Sequence, residues 1–175
     1  REVSSAYAEL AVTHRHLERE SCIDPLTGAL NRMAFERGYG MEAARASYGT
    51  VAVLDLDDLK TVNDKYGHQA GDRALQHFAE SVRSVLLPSD KLFRWGGDEF
   101  LSLLPYAKAA EIRARLAAFL PSIGPLSLDD GASVSVAASF GVADYRDGND
   151  LTSAIETADG RMYAAKRERK RFTAA

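Results

Sequence analysis

Residues 91–104 read Lys91-Leu92-Phe93-Arg94-Trp95-Gly96-Gly97-Asp98-Glu99-Phe100-Leu101-Ser102-Leu103-Leu104. Two short runs, Lys91 to Trp95 and Phe100 to Leu104, have strand composition. Between them, Gly96-Gly97-Asp98-Glu99 is a tight-turn sequence whose glycines tolerate positive φ. The stretch is read as a β-hairpin with Asp98 and Glu99 at its tip. Upstream, Val51 to Leu54 has the composition of a buried strand, and Asp55 and Asp57 arrive where that strand emerges from the core. A hairpin tip beside that strand end would gather several carboxylates. At such density they repel one another unless a hard cation lies between them, and Mg²⁺ is the usual choice where phosphates are also present.

Outward from these two stretches the elements alternate. Asn31 can cap a helix running to about Ser47, ahead of the strand at 51–56. Leu75, Phe78, Ala79, Val82, Val85 and Leu86 share one helical face, ended by Pro88. Beyond the hairpin, Ile112, Leu116 and Phe119 mark a helix from about Lys108 to Leu120, and Pro121 to Gly131 is loop-rich. Val134, Val136, Ala138, Phe140 and Val142 give a strand pattern. Leu151, Ala154, Ile155, Ala158, Met162 and Ala165 form the apolar stripe of a last helix. The order β-α-β-β-α-β predicts an α+β, ferredoxin-like core with flanking helices. The stripes are read as core, not as cofactor sites.

A chain of 175 residues, 46% of them hydrophobic, can bury a substantial single core. Its formal net charge of −3 argues against a generic nucleic-acid binder, so an anionic ligand must be held by a few local cations and a metal. Cys22 is the only cysteine, which excludes an internal disulfide. No apolar run reaches the ~20 residues that span a bilayer, and no signal peptide is visible. A cytoplasmic chain without membrane contact is expected. It begins at Arg1 without a Met, as expected of a fragment of something longer.

Residues 1–21 differ from the rest. Val3, Ala6, Leu10, Thr13 and Leu17 alternate at spacings of three and four, the seam of a coiled coil. This segment is read as a linker helix that pairs with a second protomer, and residues 22–175 as the domain itself. Ser21 to Thr27, with Pro25, separates the two.

The Gly96-Gly97-Asp98-Glu99-Phe100 signature does not stand alone. Asp24-Pro25-Leu26-Thr27-Gly28-Ala29-Leu30-Asn31-Arg32 precedes it, as does Asn63-Asp64-Lys65-Tyr66-Gly67-His68-Gln69-Ala70-Gly71-Asp72. Ser139-Phe140-Gly141 and Ala158-Asp159 through Lys166 follow it. Together these motifs resemble the diguanylate cyclase (GGDEF) family over residues 22–170. The resemblance implies a fold similar to the palm of polymerases and nucleotidyl cyclases. It implies that each protomer binds one GTP and that two protomers face each other as a homodimer. The 3′-hydroxyl of each nucleotide then attacks the α-phosphate of the other, giving cyclic di-GMP and two pyrophosphates. It further implies an upstream sensor domain in the full-length protein and Mg²⁺ (or Mn²⁺) as cofactor.

Residue by residue, the resemblance places Asp55, Asp98 and the Leu56 carbonyl as metal ligands. Glu99 becomes a further ligand or an aid to deprotonating the hydroxyl, so Asp98, Glu99, Asp55 and Lys60 form the catalytic set. Gly96 and Gly97 let the backbone approach the nucleotide, and Asp58 and Leu59 line it. Asn63 and Asp72 match the residues that read the guanine edge, a carboxylate accepting from the N1 and N2 donors. Lys60 and Lys166 match the phosphate-binding cations. Taken singly, these lysines would be ordinary surface residues, and Asn63 and Asp72 a turn residue and a first-turn helix carboxylate. His68 is read as structural, Asp57 as support without metal ligation, and Arg94, Trp95 and Phe100 as the residues that orient the hairpin.

Two positions depart from the family pattern. The Arg-x-x-Asp motif that holds inhibitory product is here Leu87-Pro88-Ser89-Asp90, and Leu87 can neither pair with phosphate nor stack on guanine. After Lys166, where the family often has Gly-Arg, this chain has Arg169-Lys170, so Lys170 stands for a phosphate-contacting arginine, with Arg169 as a substitute. The alternative reading is a catalytically silent, nucleotide-sensing module that regulates a partner. The complete acidic set favours the cyclase.

Overall fold

The computed structural model describes residues 22–173; the coiled-coil seam expected over residues 1–21 lies outside them. Strands β1 (Leu30–Asn31), β2 (Gly49–Leu56), β3 (Lys91–Arg94), β4 (Glu99–Pro105) and β7 (Ala138–Tyr145) form the central sheet. A separate ribbon pairs β5 (Leu126–Ser127) with β6 (Ser133–Val134). The sheet order is β1-β3-β4-β2-β7. β2 is antiparallel to both β4 and β7, β3 is antiparallel to β4, and β1 runs parallel to β3 at the edge. Without β1, this is the ferredoxin-like order expected from the sequence.

Alternation along the strands divides two cores. Ala52, Leu54, Leu56, Phe100 and Val142 pack under helices α3 (His68–Ser84) and α4 (Ala109–Phe119), against Leu75, Phe78, Val82, Ile112 and Leu116. Val51, Val53, Phe93, Leu101, Leu103, Ala143 and Tyr145 face the other way. They meet α1, which spans 32–43, and α5 (Leu151–Thr173), through Ala34, Ala43, Leu151, Ala154, Ala158 and Met162. All of β2 is buried, so Val51 to Leu54 is an unbroken apolar run with no alternation, while Thr50 and Asp55 are buried polar residues on either side of it. The remaining helix, α2 (Leu59–Tyr66), follows β2 directly and buries no residue.

One glycine sets the position of the last helix. A Cβ on Gly141 of β7 would lie 2.0 Å from the Ala158 carbonyl oxygen and 2.4 Å from the Met162 nitrogen. The backbone of α5 therefore lies directly on β7, and its later turns, with Lys166 and Arg169, pass over the end of β2.

The structure differs from the sequence reading in several boundaries. Asn31 does cap α1, its Oδ1 accepting from the Ala34 N–H at 2.9 Å. The helix then passes through a π turn at Phe35–Tyr39, with Gly38 at φ 109°, and ends at Ala43 instead of Ser47. Glu99 is not at the hairpin tip: it opens β4, and its carbonyl accepts from Trp95 N–H at 2.8 Å. The strand expected over 134–142 is two strands, because β6 turns back to pair with β5 inside the stretch expected to be loop. Among the described residues, no helix is long and apolar enough to cross a membrane.

Candidate active site

The register of the central strands brings the acidic residues together. Asp55 pairs with Glu99 across β2–β4 and with Ser139 across β2–β7. The Leu56 N–H donates to the Asp98 carbonyl at 2.9 Å, holding the hairpin tip beside the end of β2. Asp55 is only 4% exposed. Burial pushes its carboxyl above the usual range; the bond from Lys166 pulls it back, while Asp98 and Asp57 push it up again. Glu99 is also raised, by burial and then by Asp55, Asp98 and Asp159. Each carboxylate feels its neighbours.

Two cations from α5 answer this charge. Lys166 Nζ lies 2.5 Å from Asp55 Oδ1. Burial alone would lower the Lys166 ammonium, but the bond to Asp55 and the fields of Asp55, Asp98 and Asp57 outweigh it and hold the group above its ordinary value. One turn further, Arg169 pairs with the buried Asp57 and reaches Asp58 Oδ2 at 3.7 Å. Asp57 also accepts from the Ser139 hydroxyl at 2.9 and 3.1 Å. Lys170 is exposed on the same stretch of helix.

The glycine turn is fixed from below. Arg94 donates twice to the Gly97 carbonyl, at 2.8 and 3.2 Å, and its remaining nitrogen meets the Asp24 carboxylate at 3.1 and 3.2 Å. Asp24 also accepts from Thr27 N–H and Oγ1 at 2.9 and 2.6 Å. Burial alone would raise Asp24, yet the Thr27 bonds and Arg94 hold it below the usual range. Trp95 stands edge-on to Phe35 at 5.0 Å, with Arg32 over its ring at 5.1 Å. Gly96 and Gly97 are exposed, and a Cβ on Gly97 would meet nothing within 4 Å.

The third wall is the α2–α3 corner. Asp58 leaves β2 in the left-handed region, φ 58° and ψ 22°, and opens α2 without a side-chain cap. Lys60 is exposed and Leu59 half-buried. Asn63 lies against the α3 backbone, since a Cβ on Gly71 would fall 1.9 Å from its Oδ1. Asn63 is thereby brought next to Asp72, which is exposed. His68 is exposed at the start of α3. Leu87 is 59% exposed, and the Asp90 carboxylate accepts from the Leu87 N–H at 2.8 Å, capping its own turn.

The donors at the strand ends are all hard oxygens, the kind that Mg²⁺ or Mn²⁺ takes. Among the described residues, no three His, Cys, Asp or Glu side chains lie close enough to enclose a cation as they stand. In this structure the cation against Asp55 is the Lys166 ammonium. A cavity of about 410 Å³ lies elsewhere, between α3 and α4, lined by Leu54, Val82, Ile112 and Leu116. Its lining is mostly apolar, with Ser102 and Arg115 among it, and includes none of the acidic residues or lysines of the site.

Sequence reasoning missed the Arg169–Asp57–Ser139 cluster. The available signal was an arginine at a position where the resemblance expects glycine.

Residues 21–171 match the family model described as diguanylate cyclase, GGDEF domain. Diguanylate cyclase DgcP of Pseudomonas aeruginosa is 34% identical over 174 residues, 94% of this chain but only 26% of that protein. The coiled coil and GGDEF domain of DgcB from Caulobacter crescentus, solved with c-di-GMP, is 28% identical. That match covers 95% of this chain and 93% of that one, with a TM-score of 0.79. Diguanylate cyclase SiaD of P. aeruginosa, solved with its activator SiaC, is 33% identical. It covers 95% of this chain and 66% of that one, with a TM-score of 0.75. On its motifs, its strand order and these matches, the chain belongs to the GGDEF family of diguanylate cyclase domains.

Proposed function

We propose that this domain condenses two GTP molecules into cyclic di-GMP with release of two pyrophosphates, two copies facing each other so that each holds one nucleotide. Residues 22–175 form the catalytic unit. Residues 1–21 are the stalk that pairs the copies and joins the domain, in the cytoplasm, to an upstream sensor domain of the full-length protein. The observation that carries the reading is the gathering of Asp55, Asp98 and Glu99 at one end of β2 and β4, where burial first and neighbouring carboxylates second raise Asp55 and Glu99.

The roles follow from position. Asp55, the Leu56 carbonyl, Asp98 and Glu99 would hold Mg²⁺ or Mn²⁺. Such a cation supplies Lewis-acid stabilisation of the triphosphate and a lower pKa for the attacking hydroxyl. Lys60, Lys166 and Lys170 spread positive charge along the phosphates, and Asp58 and Leu59 shape the turn that receives them. Gly96 and Gly97 admit the nucleotide to the backbone, since no Cβ stands in its way. Asp72 accepts from guanine N1–H and N2–H, and Asn63 beside it serves the base's acceptors. Glu99, held above the usual carboxylate range, is suited to accept the proton of the attacking hydroxyl.

The test is product analysis by chromatography and mass after incubation with GTP and Mg²⁺, with Asp98→Ala alongside. Cyclic di-GMP from the parent chain, none from a folded Asp98→Ala, supports the proposal. GTP bound without product from the parent chain would leave the nucleotide-sensing module as the reading.

A further inference from the structure

The departure at Arg169 has a structural consequence outside the roles just given. Asp57 is a buried carboxylate, 5% exposed in its side chain. Leaving such a charge unpaired is expensive, and one hydroxyl proton cannot offset it. Ser139 supplies that single proton, shared between both carboxylate oxygens at 2.9 and 3.1 Å. The positive charge comes from Arg169 of α5, 112 residues away in sequence. Its other terminal nitrogen lies 3.7 Å from Asp58 Oδ2. Backbone bonds complete the arrangement: Asp57 N–H donates to Ala137 at 2.8 Å, and Leu56 N–H to Asp98 at 2.9 Å.

Asp58 is one of two non-glycine described residues at positive φ. Left-handed backbone costs an ordinary residue ~1–2 kcal/mol and persists only where surroundings hold it. The turn it makes aims α2, whose first N–H groups have no side-chain cap and whose first turn carries Lys60. The side chain that reaches both Asp57 and Asp58 is Arg169.

We infer that Arg169 is a positioning residue: through Asp57 and Asp58 it latches the last helix to the left-handed turn after β2, and so holds the start of α2 ready for the nucleotide's phosphates. It acts through the turn and is not itself a phosphate ligand. A glycine there would leave Asp57 without its counter-charge and the turn held by its backbone alone. The inference rests on the cyclase reading only for what α2 receives; the latch itself belongs to the nucleotide-free chain.

The experiment compares the 175-residue chain with Arg169→Gly, Arg169→Lys, Asp57→Asn and the Arg169→Gly/Asp57→Asn double variant. Amide hydrogen exchange at Asp57 and Val62, whose N–H groups donate to the Ala137 and Asp58 carbonyls at 2.8 and 3.1 Å, is measured without nucleotide, and affinity for a non-hydrolysable GTP analogue is measured directly. Arg169→Gly is expected to speed exchange at those amides and weaken analogue binding by roughly ten-fold or more, the usual cost of removing an orienting partner. The double variant should be no worse than Asp57→Asn alone, and Arg169→Lys should recover part of the protection. If Arg169→Gly does not fold, faster exchange in folded Arg169→Lys than in the parent chain supports the latch, and unchanged exchange overturns it. Unchanged exchange in folded Arg169→Gly, with affinity losses that add to those of Asp57→Asn, would make Arg169 a phosphate ligand and overturn the latch. Faster exchange in a chain that makes no cyclic di-GMP would sink the cyclase reading and leave the latch standing.

Discussion

Arg94 grips the carbonyl of Gly97 with two nitrogens, at 2.8 and 3.2 Å, and so ties the glycine turn back onto the strand from which it springs. The same guanidinium meets Asp24, in the segment just before β1, and the pair is largely shielded, at 18% and 16% side-chain exposure. The turn that presents Asp98 is thus braced by the first described residues of the chain.

Arg94→Lys retains the charge but loses the planar fork that serves both partners. Stability should fall by about 2 kcal/mol, the scale of a shielded charged hydrogen bond, measured by urea denaturation. Product formation should fall further than the fraction unfolded explains. A variant as stable and as active as the parent would show that the brace is incidental.

Gly141→Ala should loosen α5. Its new Cβ would collide with the backbone at Ala158 and Met162, which cannot yield as a side-chain tip can. Overpacking of this kind costs about 1–3 kcal/mol or more. A fall in the urea midpoint checks it, and weaker nucleotide binding should accompany it because Lys166 and Arg169 ride on the displaced helix.

Glu99 carries a pH signature. Its carboxyl is raised in the folded chain by burial and by Asp55, Asp98 and Asp159. A raised carboxylate favours folding below the unfolded value, 4.5, and loses that contribution as pH rises through the folded value. In chelator, Glu99→Gln should therefore be more stable than the parent at pH ~7, by about 0.5 kcal/mol after solvent screening, and the gap should shrink towards pH ~4. Denaturation curves at both pH values decide it; a parent chain more stable than Glu99→Gln at neutral pH would contradict the crowding.

Asp72→Ser should relax base choice. Removing the acceptor for guanine N1–H and N2–H should cut the preference for GTP over ATP by roughly ten-fold, about the worth of one charged hydrogen bond. Competition between the two nucleotides measures it, and an unchanged preference would remove Asp72 from guanine reading.

The strand order was legible because each core strand and helix carries its own pattern: β2 the apolar run Val51 to Leu54, α3 a stripe from Leu75 to Val82. The gathering of Asp55 with Asp98 and Glu99 was legible because both acidic stretches end apolar strands. Elements without a period were not. α2 buries nothing and so leaves no stripe, and the two-residue β1 is held by its pairing with β3 and by a bridge from Leu30 to Ile23, too short a run to show a period. Gly38 could not announce that it breaks α1, since a glycine in a helical pattern can also be tolerated. Lys166 on Asp55 and Arg169 on Asp57 join positions more than a hundred residues apart, and no local pattern encodes such a meeting.

The central claim is that two copies make one product from two nucleotides. Its most direct test is the initial rate of cyclic di-GMP formation from GTP and Mg²⁺ across a wide range of concentrations of the chain, with product identified by mass. The account predicts a rate rising more steeply than in proportion to protein until the copies are fully paired. Product formed in strict proportion to protein down to the most dilute sample, from a chain that sediments as a monomer there, would contradict it.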